Sequence, residues 1–510
     1  MKKKLSWLYG HEIKPDLAHF FLLFAVFIFS LLRIPSLVEP DWYGDEGIYQ
    51  VIGRALNQGR LLYSGIWDNK PPVLYLYYAL VNGDLFLIRL LSLLFGLGAV
   101  VAFYFLAKAL FQEKRTPTFI STTVFSVLFG LPLLEGNIAN AENFILFPVI
   151  LSLLFITKLK AKSNFIIPIT SGLLISIAFL TKIIALFDLA AFLVILFTLR
   201  FYNKSLVDVK KHVFSNPIQF VRVLKQETIL IVSFLVPIIF TILSFFLRGG
   251  FSDFLKATFS QNVGYVGYAN MLVLDLGSIH LSIPQGFLIF KLILLFLGAV
   301  LIIRYRKKFG VSGIVIYTWI TFSLFNAFFS GRPYTHYVLA LLPSFCLLLG
   351  LIFYKKRFVI HAASVILILA LLVVNFYFYT KIIPYYQNYW AYVVGHKSVS
   401  DYQTFFDKNT PRDYEISRFI QLNTQKRDQV FLLSDSGQIY FLSDKLPPGR
   451  YIVEYHISSY KDGISETKKA IDAVKPKFII STKDALLKNF IDRYAKRYII
   501  DNAVIYERQF

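Results

Sequence analysis

DWYGDEGIYQVIGRALNQGRLLYSGIWDNKPP, residues 41 to 72, is the longest polar interruption in the first part of the chain. It follows the first long apolar run and precedes the second. After Asp45 and Glu46, the residues Ile48, Val51, Ile52, Ala55 and Leu56 recur at helix spacing, and Gly59 ends the pattern. The spacing predicts an amphipathic helix lying flat on a membrane surface. Asp45 and Tyr49, four apart, share one face near its start. Lys70 precedes Pro71 and Pro72, which fix the backbone and open the next helix. A carboxylate and a lysine are thus held at a bilayer surface by two rigid elements. A helix-capping Asp45 and a snorkelling Lys70 would fit the same residues.

Composition supports a membrane setting for this stretch. The chain has 510 residues, 56% of them hydrophobic and only 16% charged, with a mean hydropathy of +0.58. Yet Lys and Arg exceed Asp and Glu, giving a net charge of +22. An apolar chain with excess base reads as a polytopic membrane protein with basic cytoplasmic loops. A nucleic-acid partner is not expected, because the base is spread between apolar runs rather than gathered on a soluble domain. Cys346 is the single cysteine, so a disulfide within the chain and a cysteine zinc site are excluded. No GxxxxGK[ST], GxGxxG or HExxH motif occurs, which argues against direct use of a cytoplasmic nucleotide. The first apolar segment, behind Met1-Lys-Lys-Lys, has no small-residue cleavage site after it and is expected to be retained.

Eleven apolar runs reach or approach the length of a membrane span: roughly 17–38, 84–111, 118–134, 143–158, 165–181, 184–202, 227–248, 284–303, 311–330, 335–354 and 358–380. Loops of one parity carry the base, at 2–4, 113–115, 158–162, 200–226, 304–308 and 355–357. Basic loops stay in the cytoplasm. The N-terminus is therefore expected inside, and the 39–83 loop outside, in a multi-pass protein of the plasma membrane. The expected division is a membrane domain over 1–380 and a C-terminal extracytoplasmic α/β domain over 381–510. In the latter, β-like runs at 429–434, 438–443, 450–456 and 477–481 alternate with helical patterns at 411–425, 464–474 and 483–496.

Further candidates lie on the same side as Asp45. Glu142, in EGNIANAEN, sits at a depth where a carboxylate is costly unless it is paired or faces water. Lys182 is a lone outer-face lysine against the positive-inside trend, and it is expected to bind an anion or a structural carboxylate. In the segment Ser330-Gly-Arg-Pro-Tyr-Thr-His-Tyr337, Arg332, Tyr334, His336 and Tyr337 cluster. An arginine fork suits phosphate; snorkelling and an aromatic belt are the other reading.

The order of an Asp-Glu pair, Tyr49, a helix ending in Gly59, Leu62-Tyr63 and then Asp68-x-Lys70-Pro71-Pro72 resembles the first extracytoplasmic loop of glycosyltransferase family 39. That family includes the protein O-mannosyltransferases and the aminoarabinose lipid A transferases. The similarity is nearest to the bacterial branch that also holds the galacturonosyl transferases of lipopolysaccharide. Glu142 stands where the family has a second acidic residue, most often Asp in the lipid A branch. Gly172, Ala178, Leu180 and Lys182 match a G-x-L-x-G-x-A-x-L-x-K run, with Ser176 in place of its second glycine. Arg332, His336 and Tyr337, ahead of Pro343, match an R-x-x-x-H-Y element. The resemblance covers roughly residues 35 to 345, with specific motifs only at 41–72.

The resemblance implies an all-α polytopic membrane protein of the GT-C type, with about 11 transmembrane helices. It implies an inverting transfer of a sugar from a polyprenyl-phosphate donor to a hydroxyl of a glycan, lipid or protein on the outer face. Asp45 would be the general base. Lys70, Arg332 and Lys182 would hold the phosphate, with His336 and Tyr337 beside it. Glu46, Tyr49, Asp68 and Glu142 would contact donor or acceptor. No cofactor is required by these residues, although an Asp/Glu pair could bind a divalent metal weakly. The competing reading is a lipid-linked-sugar flippase or transporter, which needs charges lining a path through the spans. Arg89 is its one clear candidate.

Overall fold

The computed structural model describes residues 15–159, 165–202, 224–263, 270–275, 280–283, 285–354 and 358–509. The basic stretches at 2–4 and 355–357, and most of 200–226, lie outside these.

A helix stands in each expected apolar run. α1 is Pro15–Arg33, α2 Gly44–Asn57, α3 Pro72–Leu80 and α4 Leu85–Leu110. α5 is Arg115–Gly130, α6 Ala141–Thr157, α7 Ile166–Thr181 and α8 Ala185–Arg200. α9 is Lys225–Leu247 and α10 the short Phe251–Leu255, followed by the hairpin of β1 (Leu272–Asp275) and β2 (His280–Ile283). α11, Gly286–Phe329, covers two expected runs and bends between them, where Tyr305 and Gly310 leave helical geometry. α12 is Leu342–Ile352 and α13 Phe358–Asn375. Among the described residues, five helices are long and apolar enough to cross a membrane: His19–Leu37, Leu85–Leu110, Lys225–Leu247, Gly286–Phe329 and Phe358–Asn375. The chain is a membrane protein, built on a continuous apolar core that joins α1, α4 to α9, α11, α12 and α13.

The C-terminal part starts with α14 (Ile382–Val393), α15 (Val399–Phe406) and α16 (Thr410–Asn423). A four-stranded sheet follows in the order β3-β4-β6-β5. β3 (Val430–Leu433) and β4 (Phe478–Ser481) are parallel; β6 (Ala503–Arg508) runs antiparallel to β4 and to β5 (Tyr494–Ile500). Two expected strands are not strands. Residues 438–443 form α17 (Gln438–Leu442), and 450–456 is an extended run leading into α18 (Glu454–Ser459). The expected helix at 483–496 is a short turn leading into β5, while α19 (Gly463–Val474) matches the helical pattern at 464–474.

The second core decides where the site lies. It unites α2, α3 and the 62–67 turn with β3, β4, β6, α16, α17 and α18. α2 therefore does not lie on a membrane surface with one wet face. One side packs on α3, where a Cβ at Gly53 would stand 2.6 Å from the Tyr78 backbone. The other packs on α17, where a Cβ at Gly47 would stand 2.6 Å from the Gln438 nitrogen. Close helix contact at both positions requires glycine. Gly59, at φ +85, closes α2 as read from the sequence, with Arg60 N bonding back to Ala55 O.

Candidate functional site

A cavity of about 1110 Å³ opens where the first loop, the membrane helices and the C-terminal unit meet. Of the residues singled out in the sequence, Asp45, Tyr49, Asp68, Lys70, Glu142, Lys182, Arg332, His336 and Tyr337 all line it. They come from four separate stretches of chain.

Asp45 lies in the first turn of α2, half-buried, and accepts a hydrogen bond from the Tyr49 hydroxyl over 3.1 Å. Burial, then the Asp45 charge, pushes the Tyr49 phenol well up, so it remains a donor. Asp68 is buried and accepts from the Tyr75 hydroxyl at 2.7 Å. That same hydroxyl accepts from the Lys70 backbone N–H at 3.0 Å, and the Tyr63 hydroxyl donates to the Lys70 carbonyl at 2.7 Å. Buried tyrosines thus fix the backbone of the 68–71 turn before α3 begins at Pro72. The Lys70 ammonium, half-buried, reaches the Asn69 side chain at 2.9 Å.

Across the cavity, Glu142 stands in the first turn of α6 and ion-pairs with Lys182, which caps the C-terminal end of α7. The anion met by Lys182 is therefore a carboxylate of this chain. The Lys182 ammonium also lies 4.9 Å from the centre of the Tyr337 ring. The His336 Nε2 is 3.8 Å from Glu142, and its Nδ1 is 3.0 Å from Glu135. Glu135 accepts in turn from the Tyr43 hydroxyl at 2.6 Å. This residue holds a left-handed backbone at φ 56, a conformation costly for a non-glycine residue and concentrated at functional sites. Arg332 lines the cavity from the turn after α11.

Glu46 is the exception. The expected contact with substrate is not made, because its side chain points away from the cavity and is 2% exposed. The Arg89 guanidinium forks onto it, Nη2 to Oε2 at 2.6 Å and Nε to Oε1 at 3.1 Å. Ala139 N–H donates to Oε1 at 2.7 Å, and Glu39 stands 3.7 Å from Arg89. A fully buried carboxylate needs such partners, and its place on α2 one residue beyond Asp45 turns it toward them. Arg89, the expected marker of a transport path, is consumed by this structural cluster.

Sequence reading missed the contribution of α18. Tyr455 and His456 line the cavity, as does Tyr460 just after them. Burial, and then the charges of Asp45 and Asp68, pushes the Tyr455 phenol up. Burial favours the neutral form of the His456 imidazole and pulls its pKa down, against the opposing charge of Asp68. Tyr43 and Asn140 were equally visible only as neighbours of the motif. Among the described residues, no group of three or more His, Cys, Asp or Glu is placed to hold a metal ion.

No protein-family model matches the chain, and no curated protein matches it in sequence. Solved structures do match in shape. ArnT from Cupriavidus metallidurans, solved bound to undecaprenyl phosphate, superposes with a TM-score of 0.52 at 13% identity, over 96% of this chain and 97% of that one. The oligosaccharyltransferase of Archaeoglobus fulgidus in its apo form gives 0.47 at 12% identity, over 92% of this chain and 70% of that one. End-to-end coverage by the first of these carries the C-terminal unit as well as the helices. The chain has the GT-C fold.

Proposed function

We propose that the chain is a glycosyltransferase that moves a sugar from a polyprenyl-phosphate donor to an acceptor hydroxyl on the outer face of the membrane. The observation that carries this reading is the convergence of Asp45, Lys70 and Arg332 on one cavity. A base facing a set of cations is what displacement of a phosphate leaving group needs. The undecaprenyl phosphate in the ArnT structure supports the donor class. A donor already joined to its lipid also accounts for a chain without a nucleotide motif.

Asp45 takes the proton of the acceptor hydroxyl as its oxygen attacks the anomeric carbon. The bond from that carbon to the phosphate oxygen breaks, and the electron pair leaves with the phosphate. A single displacement inverts the anomeric centre. General-base assistance of this kind contributes on the order of 10²–10⁴-fold. Lys70 and Arg332 steady the charge that grows on the leaving phosphate. The Glu142–Lys182 pair is nearly neutral, so its part is to shape the wall and orient His336 and Tyr337. Tyr49 holds Asp45 in position through its hydroxyl.

The test uses the purified chain, radiolabelled undecaprenyl-phosphate mannose, glucose, galactose and arabinose, and membrane extracts as acceptor. Transfer from one donor, abolished in Asp45→Asn, is the expected result. Absence of transfer from all four, with undecaprenyl phosphate not binding the protein, would remove the reading. The transporter reading gains nothing from Arg89, whose fork is filled by Glu46.

A further inference from the structure

Asp68 and His456 come from distant parts of the chain and face each other inside the cavity. The His456 Nε2 lies 3.7 Å from the Asp68 Oδ1. That is beyond hydrogen-bond length, although the pair is otherwise well placed. The second Asp68 oxygen is already held by the Tyr75 hydroxyl. His456 is 5% exposed, and its Nδ1 has no hydrogen-bond partner among the described residues. A buried imidazole ordinarily has both nitrogens engaged. Here the ring is fixed by packing on α18, between Tyr455 at 4.6 Å and Tyr460 at 6.5 Å between ring centres. Its cavity-facing nitrogen is directed at a carboxylate it does not reach.

We propose that Asp68 and His456 form a two-point clamp for one hydroxyl of a sugar ring, an inference that rests on the transferase reading above. A hydroxyl both donates and accepts. Set between the two groups at ordinary hydrogen-bond distance from each, it donates to the Asp68 Oδ1 and accepts from the His456 Nε2–H. Neither group could do both alone: the carboxylate only accepts, and the neutral imidazole offers one donor on that side. Burial favours the neutral imidazole, which donates from Nε2 without bringing a second charge beside Lys70. The Tyr460 ring, also lining the cavity, offers an apolar face for the sugar's C–H groups. The clamp exists only where the first loop and the C-terminal unit meet. It gives that unit a part in choosing the sugar. Missing a hydroxyl there would leave a buried carboxylate and an imidazole unsatisfied, which is a strong basis for discrimination.

The experiment measures binding to the full purified chain of three probes: bare undecaprenyl phosphate, undecaprenyl-phosphate sugars with their single-position deoxy analogues, and the corresponding methyl glycosides. The wild type should bind one hydroxylated probe about tenfold more tightly than one deoxy analogue. His456→Ala and Asp68→Asn should erase that preference while binding bare undecaprenyl phosphate as before. His456→Gln, which keeps a donor at similar reach, should retain most of it and guards against a folding defect. Loss confined to the lipid-linked sugar assigns the clamp to the donor; loss confined to the methyl glycoside assigns it to the acceptor. An unchanged preference in both variants, or an equal loss on bare undecaprenyl phosphate, overturns the clamp. Failure of the wild type to bind undecaprenyl phosphate would instead overturn the transferase reading, and the clamp with it.

Discussion

Arg89 of α4 and Glu46 of α2 meet as a two-point ion pair with no measurable exposure on the arginine side. The Arg89 Nη1 also donates to the carbonyls of Ser36 and Glu39. One guanidinium therefore ties the end of the first apolar segment, the first loop and the second apolar segment. Asp45 is one residue from the centre of that knot, so the catalytic candidate is fixed by a pair that touches no substrate.

Glu46→Gln should therefore damage the fold rather than the chemistry. Removing Glu46 breaks the two-point pair and leaves Arg89 with only the more distant Glu39, 3.7 Å away; breaking a buried pair costs up to about 3–5 kcal/mol. The expected result is a large fall in melting temperature and in yield. Thermal denaturation of the purified variants reads it; an unaltered melting temperature for the single variant would deny the pair its structural role. The two partners stand 43 residues apart in the chain, so helix spacing carries no sign of the pair.

The shared core of the first loop and the C-terminal unit makes a topological demand. Both must lie on one side of the membrane, and the charge of the loops predicts that this side is the outer one. In a Cys346→Ala background, Gln58→Cys and Ser465→Cys, both exposed, should label with an impermeant maleimide in intact cells. Gln112→Cys, in the loop between α4 and α5, should label only after lysis. Labelling of Ser465→Cys without Gln58→Cys would contradict the packing itself.

What the sequence made legible follows from range. Apolar runs and the Asp45 to Pro72 order are local, and α1 to α9 and the lining of the cavity by both ends of that order could be read from them. The β-like alternation of 438–443 and 450–456 was also local, and it misled. Gly437 and the approach of α2 turn the first into α17, and packing of Tyr451, Ile452 and Val453 into the core precedes the helical turn that delivers His456. β5 is an edge strand of its sheet, with a mostly exposed pattern. Its apolar residues gave no strand signal stronger than the helical one. Partners set by tertiary packing, such as Arg89 for Glu46 and Glu135 for His336, carry no short-range signal.

The cations of the cavity should separate by what each one touches. Lys70→Ala and Arg332→Ala should each weaken undecaprenyl phosphate binding by roughly tenfold or more, the value of a charge-assisted contact of about 1.5–3 kcal/mol. Lys182→Ala strands the buried Glu142 carboxylate and should chiefly lower stability, with Glu142→Gln/Lys182→Met closer to the wild type. Binding isotherms and melting curves on the same preparations distinguish the two effects. Unchanged lipid affinity in both Lys70→Ala and Arg332→Ala would take these residues out of the phosphate site.

Asp45→Asn is the sharpest variant. Asn fills the same space and can still meet the Tyr49 hydroxyl, but it cannot take a full proton. Transfer should fall by at least about 10²-fold, with undecaprenyl phosphate affinity and melting temperature nearly intact. Tyr49→Phe removes one hydrogen bond to Asp45 and should cost only several-fold, since a single such bond is worth about 1 kcal/mol. The control for charge is Asp435→Asn. Asp435 acts on Tyr455 and His456 through its charge, yet it does not line the cavity and pairs instead with Lys483. It removes one negative charge from the same neighbourhood and should leave turnover within a few-fold of the wild type. Equal, mild losses in Asp45→Asn and Asp435→Asn would mean that the region needs negative charge but no base at this position, and the displacement mechanism would lose its proton acceptor.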